Sequence, residues 1–428
     1  MITEIRRTCI DGEITVPPSK SYTHRAVALA LLAEGESYIE RPLISTDTEA
    51  TIHAAKQLGA NIKMKDNLLV TTGRKRLRCP EDVINAENSG TTLRFFTAIA
   101  ALAEAGYTII TGDESLRRRP MDALLGALTK LGVSCWSSKG DGTAPIIVRG
   151  GGIRGGETSI IGWQSSQFIS AILIAGQRAD GMITLRVGGE PVSKPYIDAT
   201  IAMIERFEGC VERSGYTLYT VGHQRELKAT EFRVPGDFSS ASFHVAAAYL
   251  SDGSVMLKGL DKNLPQADAA ILDIASKMGA DVNWLSGKVV VKGRGTRKPI
   301  EIKLRDSPDL LPVVAVMAAA TPGTSTLRDV AHARLKESDR IQMIAKELTK
   351  LGVKTKILED GLEITGLEQP EGGVTIDSHN DHRLFMAFTV LGLACKRGLR
   401  ITGAESAGVS YPGFINDLTK LGAEIRTI

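Results

Sequence analysis

Short clusters of Ser, Thr, Asn, Asp and Lys recur along the 428-residue chain, each just ahead of an apolar run. They are Pro18-Ser19-Lys20-Ser21, Asn88-Ser89-Gly90-Thr91-Thr92, Gln164-Ser165-Ser166-Gln167, Asp237-Phe238-Ser239-Ser240, Asp306-Ser307-Pro308-Asp309 and Ser378-His379-Asn380-Asp381-His382. Ser, Thr, Asn and Asp are the residues that cap helix N-termini. A helix N-terminus offers unpaired N–H groups and a partial positive charge, so it is a ready anion site. Any one cluster alone reads as a simple cap. Cationic residues stand in or just after them, at Lys20, Arg25, Arg94 and Arg383. That conjunction points to the binding of an anionic small molecule.

Two further basic segments fit the same chemistry. Arg117-Arg118-Arg119-Pro120 is expected to end a strand and open a helix, with Pro at the first position. Three adjacent arginines point to different sides, so one or two of them face any given site. Arg334-Leu335-Lys336-Glu337-Ser338-Asp339-Arg340 precedes a helix expected over 341–351, where Lys336 and Arg340 would share a face with Glu337 alongside. Other motifs drop out. Gly150-Gly151-Gly152-Ile153-Arg154-Gly155 matches a dinucleotide fingerprint in form, but the strand-like Glu157–Ile161 follows it instead of the helix a pyrophosphate needs. His379 and His382 lack acidic or Cys partners for a recognisable metal set, so no metal and no cofactor are expected. The chain carries no Walker A sequence, nucleophile elbow or Cys-His signature.

The elements that must position these residues repeat. Helix-like segments with a Gly stop recur six times, at Gly59, Gly132, Gly209, Gly279, Gly352 and Gly422, with spacings of 70 to 77 residues. Each Gly sits where a helix end needs a left-handed residue, and strand-like residues follow. The unit is two strand–helix passes plus hairpin strands. Six units divide into two groups of three, each with six buried core helices. The last copy stops at Ile428, and the strand-like Ile2–Val16 is expected to complete it. One domain would then be discontinuous, 1–18 with 234–428, and 19–233 would be inserted into it. A two-strand hinge is expected near 17–20 and 233–237.

Composition bounds the rest. Lys+Arg 52 against Asp+Glu 49 gives a formal charge of +3, too near neutral for a surface devoted to nucleic acid. A hydrophobic fraction of 43% with 24% charged residues is ordinary for a globular protein. Five scattered cysteines without a Cys-x-x-Cys pair argue for a reducing compartment. The N-terminus lacks a signal-peptide core, and the longest weakly charged runs fall short of the roughly 20 residues that span a bilayer. A cytoplasmic protein without membrane or nucleic-acid partners is expected, with a monomer as the default state.

Eight motifs in order now carry a resemblance. Pro18-Ser19-Lys20-Ser21 with Arg25, Asn88–Thr91 with Arg94, Arg119-Pro120, Ser165-Ser166-Gln167-Phe168, Ser193-Lys194-Pro195-Tyr196, Asp309, Lys336–Arg340 and Asn380-Asp381-His382-Arg383 together resemble the 5-enolpyruvylshikimate-3-phosphate synthases. The resemblance covers essentially the whole chain. It implies an α/β fold of two inside-out barrel domains, each of three βαβαββ units, closing around their substrates. It also implies transfer of the enolpyruvyl group of phosphoenolpyruvate to the 5-hydroxyl of shikimate 3-phosphate, in aromatic amino-acid biosynthesis. By motif, Lys20, Gly90, Arg119, Gln167, Arg340 and Arg383 would hold phosphoenolpyruvate. Lys20, Ser21, Arg25, Ser165, Ser166, Gln167, Ser193, Asp309, His332 and Lys336 would hold shikimate 3-phosphate. Asp309 would be the base for the attacking hydroxyl and Glu337 the acid for the methylene carbon, with Lys20 and Lys336 assisting.

The sequence also departs from that pattern. His332 stands where many members carry Asn, which would make its substrate contact pH-sensitive. Val409 replaces a cation that many members carry two residues before the aromatic-Pro pair, here Tyr411-Pro412. Phe95 stands where Pro is common, a change expected to alter sensitivity to phosphoenolpyruvate-mimicking inhibitors. Two rival readings remain open. One is the sister transferase acting on UDP-N-acetylglucosamine, disfavoured because no Cys lies in Gly112–Arg119. The other is a non-catalytic repeat-built anion- or RNA-binding protein, disfavoured by neutral charge and few stacking aromatics.

Overall fold

The computed structural model describes residues 1–222, 226–285 and 287–428. The chain forms two units, an inserted one, Pro18–Val234, and a split one, Met1–Pro17 with Pro235–Ile428. Each has its own sheets and helices. The inserted unit holds α1 (Lys20–Leu32), α2 (Thr46–Gln57), α3 (Gly90–Ala100), α4 (Asp122–Lys130), α5 (Ser166–Gly176) and α6 (Lys194–Arg206). The split unit holds α7 (Phe238–Leu250), α8 (Ala270–Lys277), α9 (Leu311–Ala319), α10 (Arg340–Thr349), α11 (His382–Gly392) and α12 (Phe414–Lys420).

Six four-stranded sheets share one plan. In the sheet of Gly156–Ile161, Ile183–Gly188, Leu218–Val221 and Val211–Ser214, the first pair is parallel and the other pairs are antiparallel. A buried helix, here α5, makes the crossover between the parallel strands. The N-terminal segment serves two sheets. Ile2–Ile5 sits antiparallel between Leu399–Thr402 and Ile425–Thr427, while Asp11–Thr15 pairs in parallel with Ser254–Lys258. Only the first of these strands goes to the last copy of the repeat. The second pairs in the first sheet of the split unit.

The helices divide by burial, unlike the uniform burial expected of them. The helices α1, α3, α5, α7, α9 and α11 are buried almost throughout; α3, α5, α9 and α11 cross between parallel neighbours of one sheet, whereas α1 and α7 link strands of different sheets. The other six keep a solvent face; α8, for example, buries only Ile271, Ile274 and Ala275. In the first set the charged residues, Lys20, Arg25, Arg94 and Arg383, are confined to the first two turns, whereas the second set carries them along its solvent face. Helix ends differ too: the expected 341–351 is Arg340–Thr349, and Pro120 lies before α4 instead of opening it. There the Met121 N–H goes to the Gly142 carbonyl at 2.8 Å, which holds Met121 outside the helix.

Five of the six stop glycines adopt the left-handed conformation, with φ from 76° to 110°. Gly209 does not. Glu208 takes that conformation instead, at φ 61°, and a Cβ on Gly209 would lie 2.6 Å from Gln177 Oε1. Close approach, not chain reversal, is what requires glycine there.

Candidate active site

In the inserted unit the starts of α1, α3, α5 and α6 gather the expected binding residues. Ser19, Ser89 and Ser165 cap the first three helices, and Ser89 and Ser165 accept from the N–H groups of Thr92 and Gln167. Gly90 is the meeting point. A Cβ there would lie 3.0 Å from Arg119 Nη1, 3.5 Å from Arg94 Nη1 and 3.8 Å from Gln167 Oε1. A larger residue would fill the space between those cations. Arg94 donates to Gln167 Oε1 at 2.5 Å and lies over the Phe168 ring at 5.1 Å. Arg119 donates to Asn88 Oδ1 at 3.0 Å, and Asn88 in turn donates to Asp113 at 2.6 Å. The Arg119 guanidinium is therefore aimed by a neutral amide.

Lys20, at the start of α1, pairs with Asp47 on α2 at 2.8 Å. Arg25 is buried and donates to Thr200 Oγ1, the Ser21 carbonyl and the Tyr196 carbonyl at 2.8 to 2.9 Å. Burial brings its pKa down to about 10, still charged at neutral pH. Arg25 thus ties α1 to α6 with most of its donors, and the substrate-carboxylate role expected of it has only the remaining N–H groups to use. Ser193 holds a left-handed conformation, φ 56°, at the start of α6, and both it and Ser166, at the start of α5, are buried. A buried chain of hydroxyls, Thr51 to Thr92 at 2.6 Å and Thr92 to Ser89 at 2.7 Å, holds α2 against the start of α3.

In the split unit the corresponding helix starts carry carboxylates. Asp237 caps α7 and Asp381 caps α11, while Asp309 lies in the 3-10 turn Pro308–Leu310 that leads into α9. Asp309 is the centre of the cluster. Its Oδ1 lies 2.7 Å from Arg340 Nη1 and 3.4 Å from Lys336 Nζ, and its Oδ2 lies 3.2 Å from Arg383 Nη2. Burial alone would raise its pKa, but Arg383, Lys336 and Arg340 hold the carboxyl well below the usual range.

Arg340 is fully buried among three carboxylates. It donates to Asp309 at 2.7 Å, to Glu337 at 2.7 Å and to Asp381 at 2.8 and 3.3 Å. Four of a guanidinium's five N–H groups are so engaged. A substrate anion meets Arg340 through the fifth N–H or by displacing one of these contacts. Lys336 lies in extended conformation before α10, so the shared helical face expected for Lys336 and Arg340 does not form. Asp309 brings them together instead.

His332, in the 3-10 turn Ala331–Leu335, is buried, and burial, then Lys336, bring its pKa to about 4. It is neutral across the physiological range, so the pH-sensitive contact expected of it is absent there. Its Nε2 is buried without a partner. Asp268 is a carboxylate the sequence reading passed over. Ser239 Oγ donates to its Oδ2, and burial, then Asp309, raise its pKa to about 6. Asp381 and Arg94 were legible as a cap and as a basic residue, but their pairings join segments far apart in sequence, as does that of Asp47, which no motif marks. His379 meets Glu347 Oε1 at 3.0 Å, an acidic partner the sequence did not reveal. Among the described residues no three His, Cys, Asp or Glu side chains are placed to hold a metal ion. No helix of the described residues is long and apolar enough to cross a membrane.

Mixed α/β units with cationic helix starts in one and an acid–base cluster in the other define an enzyme, and its solved neighbours are of that class. The EPSP synthase of Acinetobacter baumannii superposes over the full length of both chains with a TM-score of 0.83 at 28% identity. The family model for EPSP synthase (3-phosphoshikimate 1-carboxyvinyltransferase) matches residues 6–418, and the chain belongs to that family. It is 43% identical over 425 residues to the 3-phosphoshikimate 1-carboxyvinyltransferase of Korarchaeum cryptofilum, covering 99% of each chain. It is 44% identical over 429 residues to that of Methanocella arvoryzae, covering 100% of each.

Proposed function

We propose that the chain transfers the enolpyruvyl group of phosphoenolpyruvate to the 5-hydroxyl of shikimate 3-phosphate and releases phosphate. Family membership supports the reaction, and the observation that carries the mechanism is Asp309 held between Lys336, Arg340 and Arg383. Both substrates are multiply anionic. Lys20, Gly90, Arg119, Gln167, Arg340 and Arg383 bind phosphoenolpyruvate in this reading. Ser21, Arg25, Ser165, Ser166, Ser193 and His332 bind shikimate 3-phosphate, with Lys20, Gln167, Asp309 and Lys336 contributing. Charge-assisted hydrogen bonds of this kind contribute about 1.5–3 kcal/mol each.

The chemistry is addition then elimination. Asp309 takes the proton of the attacking hydroxyl, and Glu337 protonates the methylene carbon. Phosphate then leaves as a proton is lost from the new methyl group. A carboxylate held by three cations is a weak base. Substrate anions that draw Arg383 and Lys336 to themselves loosen that hold and raise the proton affinity of Asp309. Glu337 is paired with Arg340 at 2.7 Å through Oε2, a contact that opposes its protonation.

The six alike sheets support six βαβαββ units in two inside-out barrels, with domains at 1–18 plus 234–428 and at 19–233. A cytoplasmic monomer without nucleic-acid or membrane partners completes the reading. The test is phosphate release from phosphoenolpyruvate that depends on shikimate 3-phosphate. Release with UDP-N-acetylglucosamine instead, or none, overturns the reading. Asp309→Ala is expected to abolish turnover while shikimate 3-phosphate still binds; near-normal turnover removes Asp309 from the mechanism.

A further inference from the structure

Glu347 lies on α10, two turns beyond Arg340, and its side chain is fully buried. The proposed chemistry does not use it. A buried carboxylate is unfavourable unless its oxygens are satisfied, and these are. Oε2 accepts from Lys350 Nζ at 2.5 Å and from the Asp377 N–H at 3.0 Å, while Oε1 meets His379 Nε2 at 3.0 Å.

Two of those partners belong to the segment that leads into α11. Within it His379 and Asn380 are both left-handed, with φ 53° and 56°. Two successive non-glycine residues in that region are uncommon and persist only where surrounding contacts hold them. The residues that follow are Asp381, which holds Arg340, and Arg383, which reaches Asp309 at 3.2 Å. Helix α10 therefore grips one segment at two places. Arg340 takes Asp381, and Glu347 takes the turn just before it.

We propose that Glu347 is a positioning residue: by fixing the strained His379-Asn380 turn, it sets Asp381 and Arg383 against Arg340 and Asp309. The inference rests on the reading of Arg383, Arg340 and Asp309 as site residues. Its action on substrate runs through Arg383, so phosphoenolpyruvate should feel its loss before shikimate 3-phosphate does.

The experiment compares wild type with Glu347→Ala, Glu347→Gln and Glu347→Ala/Asn380→Gly. It measures KM for each substrate, kcat, and hydrogen exchange of the amides at 377–383. Glu347→Ala is expected to raise the phosphoenolpyruvate KM about tenfold or more, since small misplacements of positioning groups are costly. The shikimate 3-phosphate KM should stay nearly unchanged. Glycine at 380 relaxes the left-handed turn, so the double variant should recover much of the loss. Glu347→Gln, which keeps an acceptor for the Asp377 N–H, should fall between and guards against a misfolded Ala variant. An unchanged phosphoenolpyruvate KM, a loss shared equally by both substrates, or no recovery with glycine overturns the proposal. If the wild type itself shows no turnover, the enzyme reading fails separately. Exchange then decides: faster exchange confined to 377–383 in Glu347→Ala supports the positioning role, and unchanged protection there ends it.

Discussion

His332 shows how burial decides what a residue can report. A histidine in the position of a neutral amide invites the expectation of titration near neutral pH. With a pKa near 4 it carries no charge there, and His332→Asn should leave the acid limb of kcat/KM unmoved between about pH 5.5 and 8. A shift of that limb would show that His332 titrates in the working range. Asp268 runs the other way. Its folded pKa of about 6 lies above the unfolded value near 4, so the native state keeps a proton that the unfolded chain has lost. Stability should therefore fall as pH rises from about 4 to 6, by on the order of 2–3 kcal/mol. Asp268→Asn should flatten that fall in urea titrations at fixed pH values, and an equally steep fall would refute the assignment. Arg119, Asp309 and Arg383 could be singled out from their motifs. The hub role of Arg340 could not, because it depends on Asp309 and Asp381, which only the fold brings to it.

The two sets of buried helices start differently, and the difference sorts their chemistry. In the inserted unit the cap positions are held by Ser19, Ser89 and Ser165, which add no charge, and Ser89 and Ser165 accept helix-start N–H groups. The positive ends of α1, α3 and α5 stay available to a ligand, with Lys20, Arg94 and Arg119 beside them. In the split unit Asp237 and Asp381 neutralise the starts of α7 and α11 from within. In the proposed mechanism phosphate recognition belongs with the serine caps and proton transfer with the aspartates. Ser165→Asp tests this, because Asp caps a helix about as well as Ser. Thermal stability should be near wild type, whereas the shikimate 3-phosphate KM should rise about tenfold or more from the added charge. An unchanged KM would mean that the start of α5 does not face the phosphate. Helix–Gly–strand repeats made these elements legible in the sequence. The division into buried and half-buried helices was less so, because Lys130 and Glu205 at helix ends say little about which whole face meets water.

At the scale of the molecule the chain passes twice between its units, and each crossing is pinned to its own side. The Val16 N–H bonds to Lys258 O at 2.9 Å and the Asp237 N–H to Pro17 O at 2.9 Å in the split unit. The Val234 N–H bonds to Glu40 O at 2.9 Å in the inserted unit. The inserted unit is continuous in sequence, and its described residues form three four-stranded sheets and six α-helices. A fragment of residues 18–234 should unfold cooperatively in urea and release no phosphate, since Asp309, Lys336 and Glu337 lie outside it. A non-cooperative, dye-binding fragment would show that this core depends on the rest of the chain.

The strand Ile2–Ile5 lies between Leu399–Thr402 and Ile425–Thr427, with the Ile2 N–H bonded to Ile428 O at 3.0 Å. That has a consequence for the order of events on the ribosome. Ile2–Ile5 has no neighbours until Leu399–Thr402 and Ile425–Thr427 are made. The inserted unit can close as soon as Val234 clears the exit tunnel, whereas the split unit must hold Ile2–Ile5 in waiting until those strands follow. The unpaired edges of Ile2–Ile5 are thus exposed through most of that interval, and there chaperone engagement during translation should concentrate.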